Sequence, residues 1–498
     1  MALIQRPYYP IIYIRGYAMT QAEIDATVAT PYMGFNLGST KVRQAWDGRV
    51  LRHIFESPLI RLMKDHGYQD MYRGGREITD QLPARSILIY RYYEEADQDF
   101  GGGDPPSIVK AAEGLHALIL KTREQVCGDD AQALKDFRVY LVAHSMGGLI
   151  CRAFLQNPTI GSKESKAMVD KVFTFATPHN GIEMAGFNVP SFLGIWDINN
   201  FNRPTMAQYL GLPKNSARVD TLNGKFDPKR FFCLIGTNNK DYTAGAGVAR
   251  KLAGELSDGL VKIENAAVSG TPRAFVHRTH SGTYGIVNSE EGYQNLVRFL
   301  FGDVRVDGTL EVEHLPLPPA VAKARTDGKS VRASYFFEAV VSPRGAYTFT
   351  LTERRKETHS AILRRFDELF PDAKNAEKQS PRHPVLFSAF LDTRNITVKR
   401  SSTLVFSVEL AVSTTDYEID GFLFFDQHVP GEYLFRNTVV VRATKEEDGW
   451  KLRYVFADDN WSEKAGTLVE QDAAGTYIPL KSAKGFLGKL RLAIARME

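Results

Sequence analysis

A single hydroxyl group lies where the chain is expected to change from a strand into a helix. The stretch RVYLVAHSMGGLICRAF, residues 138–154, begins with an apolar run and continues in a helical pattern, with Ser145 at the junction. A sharp turn there needs small residues two positions before and after the serine, and Ala143 and Gly147 meet that need. Such a turn presents a serine as a nucleophile, but a serine in an ordinary strand-to-helix loop has the same short pattern.

A serine hydroxyl becomes a nucleophile at neutral pH only with help from other groups. A base must accept its proton, an acid must hold that base in the correct tautomer, and amide N–H groups must stabilise the oxyanion. The interpretation of Ser145 therefore depends on whether the rest of the chain supplies these groups.

The first three hundred residues have the pattern of a mostly parallel sheet with helices on both faces. Short apolar runs alternate with amphipathic stretches, and the runs are continuously apolar, as in strands buried on both sides. The predicted strands are residues 11–16, 86–93, 138–143, 171–176 and 231–236. Helices are predicted at 106–122 and at 289–302, the second with Ser289 as its cap and Gly302 as its end.

Four segments of this region occur in an order typical of one enzyme superfamily. They are AHSMGG at 143–148, TFATPHNG at 174–181, SDGLV at 257–261 and HSGTYGIVNSEEG at 280–292. On these segments the chain, over roughly residues 8–302, resembles the lipases and esterases of the α/β-hydrolase superfamily, including the lipase branch similar to the glycosylphosphatidylinositol inositol deacylases. AHSMGG resembles the lipase box with alanine in place of its first glycine. The resemblance implies an α/β-hydrolase fold and serine hydrolase chemistry.

The resemblance also implies a catalytic triad in the chain order Ser, Asp, His. Ser145 is then the nucleophile, Asp258 the acid and His280 the base. Asp258 precedes a glycine and equally fits a plain turn residue, which leaves Asp241 as the alternative acid. His277 is the alternative base, although the loop-to-helix pattern begins at His280.

Two backbone amides are predicted to form the oxyanion hole. One is the N–H of Met146 at the start of the helix, and the other is the N–H of Tyr17, just after the first strand. The resembling lipases have His-Gly-x where this chain has Arg15-Gly16-Tyr17. Because the donor is a backbone group, this change retains the donor but alters how the loop is braced. We interpret Arg15 as structural, with contact to an acidic part of a substrate as the alternative.

An apolar insertion at about residues 182–229 is predicted to cap the site. Over a polar centre it would line a pocket for an acyl chain, whether it is a mobile lid or is packed permanently. The candidate substrate-binding residues are His144, Phe187, Phe192 and Trp196. His144, like His179, is also explained by a structural role.

Beyond residue 303 the apolar residues alternate by twos, which predicts an antiparallel β-sandwich over residues 303–498. A hairpin is expected to turn at Asp448-Gly449, and one helix is expected near 360–370. The last strand, within 481–496, is basic. Lysines on an edge strand prevent aggregation, and peripheral contact with a lipid or polymer surface is the alternative.

Composition narrows the classes of partner and cofactor. Of the 498 residues, 62 are Lys or Arg and 58 are Asp or Glu, a net charge of +4, and no basic run is interleaved with aromatics, so no nucleic-acid partner is expected. The three widely spaced cysteines and the scattered histidines indicate no disulfide framework and no metal site. Because the sequence shows neither a membrane-length apolar run nor a signal-peptide pattern, a cytoplasmic location is expected.

These observations lead to one main hypothesis and a set of alternatives. The chain is predicted to be a cofactor-independent serine hydrolase that cleaves carboxylic esters of lipid-like acyl groups through an acyl-enzyme on Ser145. The same fold also hosts thioesterases, amidases, polyester depolymerases and acyltransferases. A binding module with an inactive hydrolase domain is the alternative from a different class.

Overall fold

The structure is a computed structural model that describes most of the chain. The described residues are 4–16, 42–44, 50–52, 58–71, 81–92, 94, 106–182, 201–240, 256–282, 285–343, 350–352, 362–371, 383–395, 403–420, 427–447, 449–459 and 466–497. The chain forms two compact units, one of residues 1–273 and 278–301 and one of residues 274–277 and 302–498. The main division lies between Phe301 and Gly302. The assignment of 1–302 and 303–498 to two domains stays a prediction.

Strands from the first 300 residues form a seven-stranded sheet in the order β4-β5-β1-β6-β7-β8-β9. The six strands from β4 to β8 in that order pair in parallel. A separate antiparallel pair, β2 with β3, completes this part of the chain. The strands are β1 Ile11–Ile14, β2 Val42–Gln44, β3 Val50–Arg52, β4 Gln69–Asp70, β5 Ser86–Tyr90, β6 Val139–His144, β7 Val169–Phe175, β8 Phe231–Gly236 and β9 Arg273–Val276.

The middle strands are continuously apolar because they are buried on both faces. Every residue of β1 and β8 is buried, and β6 and β7 are buried along nearly all of their length. The stacked rings of Phe173 and Phe232, with centroids 5.0 Å apart, join β7 to β8. Each of the five predicted strands is present, so the predicted α/β-hydrolase sheet is confirmed. The short β4 and β9 were not predicted, since two to four residues carry too little periodicity to be recognised.

Helices flank this sheet at the predicted places and at several others. They are α1 Pro58–His66, α2 Ile108–Cys127, α3 Ala131–Asp136, α4 Met146–Gln156, α5 Lys163–Ala167, α6 Arg203–Tyr209 and α7 Glu290–Phe301. The predicted helix at 106–122 is α2, and its cap is Ser107, whose hydroxyl accepts from the Lys110 N–H. The predicted cap insertion lies partly outside the described residues, and its described part includes α6.

The helix α7 is fixed at both ends by side chains. At its start, Ser289 Oγ accepts the Gly292 N–H at 3.0 Å and donates to the Ile286 carbonyl at 2.8 Å. At its end, the buried Lys171 Nζ donates to the carbonyls of Phe299 and Leu300, at 2.8 and 3.0 Å. A cation is favourable there because the last carbonyls of a helix lack intrahelical donors. Burial lowers the pKa of Lys171 to about 8.

The second unit is built from antiparallel sheets, as the alternating pattern predicts. One has the order β14-β10-β23-β22-β21, one β13-β12-β15-β18-β19-β20 and one β11-β16-β17, and β12 contacts β14 between the two larger sheets. The elements are β10 Val304–His314, α8 Pro319–Thr326, β11 Val331–Arg332, β12 Ser334–Pro343, β13 Ile362–Arg365, α9 Phe366–Leu369, β14 Val385–Leu391, β15 Thr403–Thr414, β16 Tyr417–Ile419, β17 Gln427–Val429, β18 Tyr433–Glu446, β19 Gly449–Phe456, β20 Thr467–Leu468, β21 Glu470–Asp472, β22 Gly475–Lys481 and β23 Leu487–Arg496.

One local prediction for this unit is confirmed in part, and another is wrong. The helix expected near 360–370 is limited to the short α9, because the preceding residues form β13 and pair with β12. The basic last strand β23 is not at an edge, since it pairs with β10 on one side and β22 on the other. Two of its cations face acidic neighbours: Lys489 bonds Glu313 and Asp472, and Arg491 bonds Asp472 and Glu311. Contact with a lipid or polymer surface stays a prediction.

The remaining compositional expectations concern cysteines and membranes. Cys127, Cys151 and Cys233 are all buried free thiols. Within the described residues, the helices are too short or too polar to cross a bilayer.

We expect Ser289→Ala to loosen the start of α7. The change removes the acceptor for the Gly292 N–H, and loss of a helix cap costs about 1 kcal/mol. Hydrogen exchange followed by mass spectrometry is expected to show about fivefold faster exchange in the first turn of α7. Ser289→Thr, which keeps the hydroxyl, is the control. Equal exchange in the alanine variant and the native protein would contradict the cap.

Candidate active site

Ser145 occupies a turn of one residue between β6 and α4. β6 ends at His144, α4 begins at Met146, and Ser145 itself has φ 52° and ψ −125°. This positive φ is uncommon for a residue with a side chain and persists only where the surroundings enforce it. The Ser145 N–H donates to the Phe175 carbonyl at 2.9 Å, and its carbonyl accepts from Thr177 Oγ1 at 2.8 Å. Both peptide groups of the turn are therefore held, one by the end of β7 and the other by the loop that follows it.

Glycines allow the neighbouring backbone to approach this turn. A Cβ on Gly147 would lie 2.4 Å from the Ile14 carbonyl oxygen, and one on Gly16 would lie 2.6 Å from Ser145 Cβ. A Cβ on Gly148 would lie 2.3 Å from Thr177 Oγ1. The sequence pattern predicts the need for a small residue at 147. The equal need for glycine at positions 16 and 148 was not predicted, because it arises from tertiary contacts. Gly16 contacts the Ser145 turn, and Gly148 contacts Thr177 in the loop after β7.

The loops after β8 and β9 bring an imidazole and a carboxylate to the serine. His280 Nε2 lies 2.9 Å from Ser145 Oγ, and His280 Nδ1 lies 2.9 Å from Asp258 Oδ2. Because the carboxylate only accepts, Nδ1 carries the proton and Nε2 is left to accept from the hydroxyl. The structure thus brings together the three residues predicted as a triad. The imidazole that reaches Ser145 is that of His280, while His277 directly follows β9.

Asp258 is both a turn residue and the partner of the imidazole. Its Oδ1 accepts the N–H groups of Leu260 and Val261, at 3.0 and 2.8 Å, while its Oδ2 faces His280. The two interpretations that the sequence left open are therefore compatible: the turn orients the carboxylate. Asp241, the alternative acid, lies outside the described residues.

The three side chains are almost completely shielded from solvent. The exposed fractions of Ser145, Asp258 and His280 are 4%, 1% and 4%. Hydrogen bonds and charge interactions are stronger in such surroundings than in water. The arrangement can therefore move a proton from Ser145 Oγ to His280 and stabilise the resulting imidazolium against Asp258.

Two further buried histidines, His144 and His179, make hydrogen bonds outside the triad. His144 Nε2 is 2.9 Å from the His280 carbonyl oxygen. Burial lowers the pKa of His144 well below its usual value, and the nearby His280 and Arg15 lower it further. His179 Nε2 is 3.1 Å from Thr174 Oγ1, and burial, with Arg152 and Arg273 nearby, lowers its pKa in the same way. The position of His179 fits the structural role predicted for it.

The predicted oxyanion hole is described in part. The Met146 N–H is the first amide of α4, where helix amides have no intrahelical acceptor. Tyr17 lies outside the described residues, as do Phe187, Phe192 and Trp196. The strand end before Tyr17 is braced by Tyr92, whose hydroxyl donates to the Arg15 carbonyl at 2.8 Å.

The buried Arg152 was not identified from the sequence as part of the site's support. Its guanidinium donates to Gln156 Oε1 and to the carbonyls of His179, Val219 and Thr221, at 2.5 to 2.8 Å. Burial lowers the pKa of Arg152 to about 10. These bonds tie α4, which begins beside Ser145, to the loop after β7. The available signal was a lone charge within the apolar helix GGLICRAFL.

Among the residues that the structure describes, no group of three His, Cys, Asp or Glu side chains is placed to hold a metal ion.

Comparison with known proteins finds one family model and several solved structures with low similarity. A family model described as PGAP1-like alpha/beta domain matches residues 94–189, which include β6 and the turn at Ser145. Phospholipase PlaB from Legionella pneumophila is similar with a TM-score of 0.33 and 13% identity, over 81% of this chain and 86% of that one. A cutinase-like protein from Cryptococcus sp. has a TM-score of 0.17 and 13% identity, over 36% and 58%. No curated protein matches the chain. The parallel sheet and the family model together support the α/β-hydrolase fold predicted from the sequence.

We expect Gly147→Ala to destabilise the first unit, since its Cβ would overlap the Ile14 carbonyl. Overpacking of this kind costs about 1–3 kcal/mol. Alanine is otherwise the better helix former, so a general helix effect would have the opposite sign. Thermal unfolding measures the change, with Glu113→Ala at an exposed position of α2 as the control. A loss no larger than that of the control would contradict the close approach.

Proposed function

We propose that the chain is a serine hydrolase that cleaves carboxylic esters carrying lipid-like acyl groups. The observation that carries the proposal is the continuous chain of hydrogen bonds from Asp258 through His280 to Ser145, with both links at 2.9 Å. The strained turn and the start of α4 add the setting that a nucleophilic serine requires.

In the first half of the proposed reaction, Ser145 Oγ attacks the ester carbonyl carbon as His280 Nε2 takes the hydroxyl proton. The oxyanion accepts hydrogen bonds from the Met146 N–H and, as predicted from the sequence, from the Tyr17 N–H. Collapse of the tetrahedral intermediate breaks the bond to the leaving alcohol, and His280 gives it the proton. The product is an acyl group on Ser145.

In the second half, His280 removes a proton from water, and the resulting hydroxide equivalent attacks the acyl carbon. The intermediate collapses, the bond to Ser145 Oγ breaks, and the proton returns from His280 to the serine. The carboxylic acid leaves and the starting state is restored. Asp258 holds the proton on Nδ1 throughout, which keeps Nε2 facing the serine.

The proposal for a lipid-like acyl group depends on the apolar cap insertion. Residues 183–200 contain Phe187, Phe192 and Trp196 within an apolar run. The following segment contributes buried apolar side chains to the first unit, among them Met206 and Leu210. An insertion of this composition after β7 suits a pocket that binds hydrocarbon and excludes water.

We expect Ser145→Ala to abolish labelling by a fluorophosphonate probe and to reduce ester hydrolysis by about 10⁴-fold. Asp258→Asn is expected to cause a loss of similar size, because the wrong tautomer leaves a proton on Nε2. The assays are gel fluorescence and release of p-nitrophenol. Ser216→Ala is the matched serine control, since the Ser216 hydroxyl only bonds the nearby Pro213 carbonyl. Native protein that remains unlabelled and inactive would favour the binding-module hypothesis.

We expect kcat/KM for p-nitrophenyl octanoate to exceed that for the acetate by at least about tenfold, since each buried methylene contributes about 0.8 kcal/mol. The measurement is a series of p-nitrophenyl esters of increasing chain length with the native protein. A preference for acetate would contradict the lipid-like acyl group and leave the hydrolase proposal intact.

A further inference from the structure

His144 occupies a position that links three parts of the site. It is the last residue of β6 and directly precedes Ser145, and its ring centroid is 5.0 Å from that of His280. Its Nε2 is 2.9 Å from the His280 carbonyl oxygen. A carbonyl only accepts, so His144 Nε2 carries a proton and donates it there.

The opposite edge of the same ring faces the end of β1. A Cβ on Gly16 would lie 2.9 Å from His144 Nδ1 and 2.6 Å from Ser145 Cβ. The imidazole therefore fills the space between the backbone of Gly16 and the loop that carries His280. Burial lowers the pKa of His144, so the ring is neutral at pH 7 with its proton on Nε2.

Among the described residues, His280 makes these four hydrogen bonds. Its N–H donates to the Asp258 carbonyl at 2.9 Å, and its Nδ1 and Nε2 face Asp258 and Ser145. The fourth is the bond from His144 to its carbonyl. Asp258 thus fixes the amide side of the residue, while His144 fixes the carbonyl side.

We propose that His144 is a positioning residue, which sets the distance between His280 Nε2 and Ser145 Oγ through its hydrogen bond to the His280 carbonyl. This inference rests on the proposed function, because it assigns His144 an effect on the base of that reaction. It separates His144 from the substrate-binding residues, with which the sequence had grouped it. Its effect falls on the proton-transfer step and is independent of the acyl chain.

Two substitutions separate the hydrogen bond from the volume of the ring. His144→Met keeps a long side chain but has no donor, and His144→Gln places an amide N–H four bonds from Cα, as Nε2 is in histidine. We expect His144→Met to lower kcat by about 3- to 10-fold, the worth of one buried neutral hydrogen bond, with KM changed less than about twofold. We expect His144→Gln to recover most of kcat.

A second measurement follows the same proton-transfer step without hydrolysis of an ester. Diisopropyl fluorophosphate carries no long acyl chain, so the rate at which it modifies Ser145 is expected to depend on His280 and to fall by the same factor in His144→Met. His116→Met is the matched control, because the His116 ring stacks on Phe154 at 5.7 Å in a different part of the unit. Circular dichroism and thermal unfolding establish that each variant is folded.

Several outcomes would overturn the inference. One is a native kcat in folded His144→Met. Another is a rise in KM that differs between the acetate and octanoate esters, which would indicate direct contact with substrate. If His144→Met does not fold, His144→Gln decides, since a folded glutamine variant with kcat more than tenfold below native also excludes the positioning role. Failure of the proposed function itself is recognised separately, by Ser145→Ala retaining activity.

Discussion

The close approach of β1 to the turn at Ser145 is the constraint on which the rest of the site depends. Parallel pairing sets Ile14 opposite Ala143, so the residues after both strands leave the sheet side by side. Gly16 and Gly147 have no side chains to hold them apart. Because this gap is closed by backbone, the serine is held at a positive φ, and its hydroxyl points to where two other loops converge.

The polar groups gathered at that point are buried, and they are compatible with burial because they bond one another. Asp258 uses one carboxylate oxygen for its own turn and the other for His280. His280 is bonded through both ring nitrogens and both backbone groups. An imidazole with one remaining orientation loses little entropy when it takes up a proton, and unbonded polar atoms here would cost far more than in water.

Buried cations position the helices beside the site. Arg152 ties α4 to the loop after β7, and Lys171 on β7 bonds the last carbonyls of α7. In both cases the cation meets backbone carbonyls, and in both cases burial lowers its pKa. These bonds set the positions of two parts of the site, because the start of α4 contains the Met146 amide and α7 follows the loop of His280. Each helix is fixed against the strand next to it by a bond that apolar packing cannot replace.

Local features of the site were readable from the sequence because they depend on neighbouring residues. The apolar run before Ser145, the small residues around it and the cap at Ser289 each follow from a few consecutive positions. The strands β1, β6, β7 and β8 were equally predictable, since burial on both faces leaves a continuous apolar run. The strand β5 was predictable from its apolar run as well, although three of its five residues are only half-buried. The resemblance to known lipases added Asp258 and His280 to the residues that could be predicted.

The tertiary structure alone decided what depends on distant pairing. Ser145 and His280 are 135 residues apart, and only the order of β6, β8 and β9 in one sheet brings them within 2.9 Å. The same reason explains the errors. Residues Ile362–Arg365 have a helical pattern but pair with β12, and β23 has the charges of an edge strand but lies between two others. Periodicity in the sequence reports which face of an element is buried, whereas the identity of its neighbour is a property of the folded chain.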